Sequence, residues 1–187
     1  MKISLRAKAV VGIICMSLII SATAIALSYR TYANTMDEHY QKMCLDLAES
    51  AIAMLDSEKM KHYAETMEKD EYYDEQRDIL CRLVEANDSA LYIYVAVSPG
   101  GGSFEEGDPL YDIMDTDPMV KPPEEEVAYL DVEAGNDVVF NRQTEEFGWL
   151  CTALVWMYDE TGDTYAFMNV DISMNDVMAD RMDFLRV

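Results

Sequence analysis

Histidine is scarce, since His39 and His62 are the only two in 187 residues. That excludes a histidine pair spaced to hold zinc. No nucleophile elbow and no phosphate-cradling glycine loop is present either, so the common enzyme chemistries lack their machinery. Positive charge is also thin: 14 Lys and Arg stand against 36 Asp and Glu, a formal charge of −22. Lys2, Arg6 and Lys8 are the only charged residues among the first 29, so the remainder is more acidic still. Such a surface repels nucleic acid and anionic lipid, and nucleic acid is excluded as a partner. Its ordinary role is solubility, although it also attracts cations. Glycine and proline are absent from Ile13 to Ser98, which leaves long helices uninterrupted. Cys15, Cys44, Cys81 and Cys151 show no metal-ligand spacing, and no metal or cofactor is expected. Cys15 sits in an apolar run. The other three read as buried free thiols, with a Cys44–Cys81 bridge as the alternative.

What the chain does have is an uncharged run, Ala9–Tyr29. As a helix it spans about 30 Å, the hydrocarbon thickness of a bilayer. Lys2, Arg6 and Lys8 precede it while Asp37 and Glu38 follow, which places the N-terminus in the cytoplasm. Ala22-Thr23-Ala24 resembles a cleavage site, but Ile25, Ala26 and Leu27 continue the apolar run and favour a retained anchor. The expected organisation is a cytoplasmic N-terminus (1–8), a transmembrane helix (9–29), an extracytoplasmic domain (30–174) and the start of a helix leading back to the membrane (175–187). The localisation that follows is the cell membrane.

From Tyr32 to about Lys61, Met36, Tyr40, Met43, Leu47, Ala51 and Met54 recur at helical spacing. The membrane helix therefore runs into a long amphipathic one, whose stripe packs on a sheet or forms a homodimer seam. A second helix covers Glu71–Glu85, with Tyr73, Leu80, Leu83 and Val84 inward. Leu91–Val97 is a buried strand, rich in β-branched and aromatic residues. A weaker strand includes Leu110–Ile113. Residues 104–137 are strongly acidic and carry Pro109, Pro118, Pro122 and Pro123, so they read as an irregular excursion. Asp112, Asp115 and Asp117 lie there. They lack the glycine and distal glutamate of a calcium loop and read as solvated. Val138–Phe140 is a short strand. Phe147–Tyr158 and Thr164–Ile172 form a hairpin turning at Gly162, and a final helix starts at Ser173, with Asp176 three residues on. Hairpin-joined strands with segregated helices define an α+β domain built on an antiparallel sheet.

Three stretches give this order a family resemblance. They are the membrane helix leading into Met54-Leu55-Asp56, the strand Leu91-Tyr92-Ile93-Tyr94-Val95 after a short acidic helix, and Phe147–Ala153 with the 159–163 turn and Val170-Asp171-Ile172-Ser173. Together they resemble the Cache family, PAS-like extracytoplasmic sensor domains of bacterial signalling receptors, over roughly residues 9–187. The resemblance implies a long N-terminal helix packed on a PAS-like antiparallel sheet. It also implies a non-catalytic module that senses an unknown small molecule. Family members continue into a second membrane helix and an output domain; this sequence stops at Val187 and reads as a fragment.

The resemblance places a ligand between the sheet and its covering loops. Asp171 matches the aspartate that meets a ligand ammonium in amine-binding members, and a carboxylate is suited to that task. The family's Arg-Trp-Tyr cluster for a carboxylate is not found. Tyr92 and Tyr94 are candidates as aromatics with polar tips. Trp149, Thr152 and Asn169 join them by strand position, although alternation prevents all six from facing one pocket. Each also has an ordinary structural use. Two other readings stay open: a single-pass, membrane-tethered binding or interaction protein, and a pilin-like subunit. The second is disfavoured because Ala9–Tyr29 lacks a glutamate.

Overall fold

The computed structural model describes residues 5–66, 68–97, 110–112, 118–119, 136–145 and 147–184. Helix α1 runs unbroken over Leu5–Met54, 50 residues, or about 75 Å. Its first half is long and apolar enough to cross a membrane, and Ile13, Leu18, Ile20, Ile25 and Leu27 are all exposed. Its second half packs on the sheet through Cys44, Ala48 and Ala51, each fully buried. The two alanines let the backbone approach closely, while Tyr40, Met43 and Leu47 flank the contact. Met54, placed on the inward stripe by its spacing, is exposed, because the helix ends there.

The break after α1 falls where neither glycine nor proline stands. Asp56 causes it. Its carboxylate accepts from the Lys59 backbone N–H at 3.1 Å, which starts helix α2, Ser57–Thr66, by N-capping. The Asp56 N–H, orphaned by the break, donates to buried Gln76 at 2.8 Å. Helix α3, Tyr73–Glu85, supplies that glutamine and buries Tyr73 and Leu80 against the core.

The strands are β1 (Ala90–Val97), β2 (Leu110–Asp112), β3 (Pro118–Met119), β4 (Val138–Thr144), β5 (Gly148–Tyr158) and β6 (Thr164–Ser173). They form one sheet in the order β3-β2-β1-β6-β5-β4, and every pairing is antiparallel. The fold class is therefore α+β. The 98–102 turn, Ile113, Asp115, Asp117 and most of the acidic excursion lie outside the described residues. Among the described residues no cluster of His, Cys, Asp or Glu could hold a metal.

Helices α1, α2 and α3 cover one face of the sheet. Their core includes Tyr63, Val95, Cys151, Met168, Val170 and Ile172. The cysteine expectations divide. Cys44 and Cys151 are buried, whereas Cys81 is exposed and all are free thiols. Cys81 lies on the outer side of α3, so it is not a core residue and not the partner of Cys44.

Ser173 ends β6, and its hydroxyl accepts from the Asn175 backbone N–H at 3.4 Å at the entry to the last helix. Helix α4 spans Asn175–Phe184. Asn175 anchors it, accepting from Trp149 N–H at 2.9 Å and donating to the Phe147 carbonyl at 2.8 Å. Gly148 makes room: its φ is +75°, and a Cβ there would collide with the Asn175 side-chain oxygen. At the other end of the β5–β6 hairpin, Asp159 accepts from the Thr161 and Asp163 backbone N–H groups. Lys61 of α2 reaches the same carboxylate at 2.7 Å. Hydrogen bonding from Lys61, then from Thr161, holds Asp159 well below the usual carboxylate range.

Candidate functional site

The strand pleat sorts the residues. On the face opposite the helices, Tyr92 stands beside Asp171, Asp171 beside Thr152, and Thr152 beside Phe140. In the next row Tyr94 meets Asn169, Asn169 meets Leu154, and Leu154 meets Val138. Ala96, Phe167 and Trp156 form the row beyond. Five of the six sequence candidates, Tyr92, Tyr94, Thr152, Asn169 and Asp171, thus share one face. Trp149 does not. It packs with the helix-side core, because an odd number of residues separates its face from that of Thr152 along β5.

The shared face has a polar corner and an apolar one. In the polar corner, Arg142 of β4 donates through Nε to Thr152 Oγ1 at 2.9 Å and through Nη2 to the two Asp171 oxygens at 3.1 and 3.3 Å. Thr152 passes the chain on, donating to Asp171 Oδ1 at 2.5 Å. Thr152 and Asp171 are almost fully buried. One carboxylate, one hydroxyl and one guanidinium therefore form a closed relay. Asp171 does not wait as a bare anion for a ligand cation; its charge is already met by Arg142. Sequence reasoning missed Arg142, which sits in Asn141-Arg142-Gln143, a polar run with no strand alternation. The signal that could have found it is the pairing itself: on an antiparallel neighbour of β5, a residue two beyond Phe140 falls on the face of Thr152.

One step away, Asn169 is 2 % exposed. Its Nδ2 donates to the Tyr94 hydroxyl at 2.7 Å, while its Oδ1 has no hydrogen-bond partner among the described residues. A buried amide oxygen without a donor costs about 1–3 kcal/mol. Rotating the amide by half a turn would exchange an unpaired acceptor for an unpaired donor. In either orientation the position calls for a polar partner.

The apolar corner comprises Ala96, Leu154, Trp156 and Phe167, with Val138 and Phe140 packed at its margin. Trp156 and Phe167 meet edge to face at 6.1 Å, a favourable aromatic geometry. Tyr92 is 47 % exposed and stands edge-on to Phe147 at 5.4 Å, at the rim. The face thus sets hydrogen-bonding groups beside an apolar wall. A separate hollow of about 530 Å³ lies beside Leu27, Ser28, Thr31 and Thr35. It is lined by α1 and brings no such groups together.

The same strands reach the membrane-proximal helix from their other face. Asn141, next to Arg142, donates to Asp37 Oδ1 of α1 at 3.1 Å. Arg181 of α4 donates to that oxygen at 2.8 Å and to the Ala33 carbonyl at 2.9 Å. Asp37 is thus a shared contact of α1, β4 and α4.

No family model matches the chain, and no curated protein does. Solved structures similar to it include the sensory domain of the Campylobacter jejuni chemoreceptor Tlp3, seen with isoleucine bound. That match has 14 % identity and a TM-score of 0.49, covering 86 % of this chain and 61 % of that one. The ligand-binding domain of the same chemoreceptor with L-valine also has a TM-score of 0.49, with 14 % identity, 86 % of this chain and 62 % of that one. The extracellular domain of mmHK1S-Z3, a protein assigned as a histidine kinase, has 20 % identity and a TM-score of 0.47 over 85 % of this chain and 60 % of that one. This chain spans about three fifths of the length of those structures.

Proposed function

We propose that this chain is a Cache-type, membrane-anchored sensor module whose α+β domain lies outside the cytoplasm and binds a small molecule on the sheet face of Asn169. Residues 9–29 cross the membrane, residues 30–174 form the sensor, and residues 175–187 begin a return towards the membrane. The observation that carries the reading is the buried, unpaired amide oxygen of Asn169, set between a charged relay and an aromatic wall. A ligand donating an N–H or O–H to that oxygen satisfies it. The ligand's apolar body then lies against Leu154, Trp156 and Phe167, and a negative group, if present, meets Arg142. Compact amines, amino alcohols and zwitterions with short apolar side chains fit this description.

Binding shifts a signalling equilibrium only if the ligand prefers one of two states. β4 offers the route, since Arg142 faces the ligand and its neighbour Asn141 holds Asp37 on α1.

The test is calorimetry on the chain in lipid nanodiscs, against a panel of amines, carboxylates and zwitterions. Saturable binding by one class, weakened about tenfold by Asn169→Ala with the fold intact, supports the reading. If no member binds, and native mass spectrometry of the protein from its own cells shows no bound small molecule, the reading fails.

A further inference from the structure

Cys44 and Cys151 form a second chemical feature, on the helix side of the sheet. Cys44 belongs to α1 and Cys151 to β5, and both are fully buried. The Cys44 thiol lies 3.3 Å from the Cys151 carbonyl and 3.3 Å from the Val170 carbonyl. The neighbouring Cys151 side chain, then burial, pushes the Cys44 thiol strongly upward. The two residues are 107 positions apart, and they are the only two cysteines in the sheet–helix core.

We propose that Cys44 and Cys151 are the site of a disulfide that bolts the membrane helix to the central hairpin of the sensor. This rests on the reading that the domain lies outside the cytoplasm, where thiols are oxidised. Closing the bridge requires the two sulfurs to come to about 2.05 Å, with the Cys44 side chain turned from the Cys151 carbonyl, 3.3 Å away, to the thiol of the same residue. The reaction is an exchange with a disulfide-carrying thiol oxidant. One sulfur attacks the oxidant's disulfide and releases a thiol. The second sulfur then attacks the first in the mixed disulfide and displaces the oxidant's remaining sulfur as its second thiol. Cys44 and Cys151 lose two protons and two electrons in all, and the oxidant leaves as two thiols. In the folded domain both thiols are enclosed, so exchange takes place while the chain folds, before α1 docks. Once formed, the bond is enclosed and resists external reductants.

Its position gives it a second meaning. Cys151 immediately precedes Thr152 of the charged relay, on the opposite face of the same strand. A bridge at Cys151 fixes β5 against α1 directly behind the ligand face.

Exposed Cys81 supplies an internal control. Intact cells are first treated with a membrane-impermeant maleimide, then quenched in acid, denatured and blocked with a second maleimide. Peptides are mapped by mass spectrometry with and without reduction. The expected result is Cys81 labelled from outside and a Cys44-to-Cys151 linked peptide in most of the protein. The link should survive dithiothreitol on the native domain and open only when urea is added. Cys81 labelled from outside, with Cys44 and Cys151 recovered as free thiols, overturns the disulfide and leaves the sensor reading standing. Cys81 labelled only after permeabilisation, with all thiols free, overturns both the disulfide and the outside placement.

Discussion

Replacing Arg142 and Asp171 singly and together tests whether the relay is one unit. Asp171 is 5 % exposed at its side chain and Arg142 is 22 % exposed, with their closest atoms 3.1 Å apart. Removing one partner of a buried ion pair costs about 3–5 kcal/mol, chiefly because the other charge is left without compensation. Water reaches part of Arg142, so the loss for Asp171→Leu is nearer ~2–3 kcal/mol, since screening lowers the cost of the stranded cation. Arg142→Met strands a more deeply enclosed anion and should cost at least as much. The double variant removes both charges and leaves apolar groups of similar size. It should therefore lie within about 1 kcal/mol of the parent, a coupling of several kcal/mol in the cycle. The assay is urea unfolding of the chain in detergent, followed by fluorescence of the buried Trp156. The reasoning is refuted if the two single losses simply add in the double variant. The same variants divide stability from recognition, because the double variant should fold well and bind ligand poorly.

Two further perturbations read the frame around the site. Gly148→Ala forces a side chain into a left-handed backbone and against Asn175. A loss of about 1–2 kcal/mol is expected, which lowers the melting temperature by roughly 4 °C or more in a domain of this size; an unchanged melt would show that α4 is not seated by that contact. Asp159, held below its ordinary pKa by Lys61 and Thr161, contributes stability when ionised. That contribution is complete above its unfolded value near 4 and disappears as pH falls towards the lower folded value. The parent should therefore lose stability more steeply below pH 4 than Asp159→Asn, and parallel acid limbs in thermal melts would contradict the linkage.

The elements legible in the sequence were those whose pattern was set by one strong force. The apolar run of α1, the β-branched strand β1 and the long β5–β6 hairpin all declare themselves by hydrophobic patterning. The parts that escaped depend on single polar contacts. Nothing in composition marks the break between α1 and α2, because it is made by Asp56 capping one helix and Gln76 receiving the freed N–H. Strand β4 was read as three residues, Val138–Phe140, yet pairs through Thr144. Its polar second half is held by backbone hydrogen bonds and by partners distant in sequence. Arg142 disappeared with it. The candidate site was accordingly legible on β1, β5 and β6, where alternation assigns faces, and not on the edge strand that completes it. Trp149 was a candidate by strand position alone; alternation ruled out a single pocket for all six candidates, and the pleat puts Trp149 on the helix side.

Helix α1 has no glycine or proline between Ile13 and Met54, and so no residue type at which helices commonly bend. A rod clamped at Cys44, Ala48 and Ala51, and held again at Asp37 and Ala33, behaves as a lever over its exposed first part. From Ala33 to Ala9 that part extends about 36 Å, at 1.5 Å per residue. A tilt of about 2° at the clamp therefore sweeps the far end by about 1 Å, by the same rise per residue. Sub-ångström adjustments in the packing of β5 and β6 would arrive at the far end of α1 enlarged, with no glycine or proline along the shaft from Ile13 to absorb them.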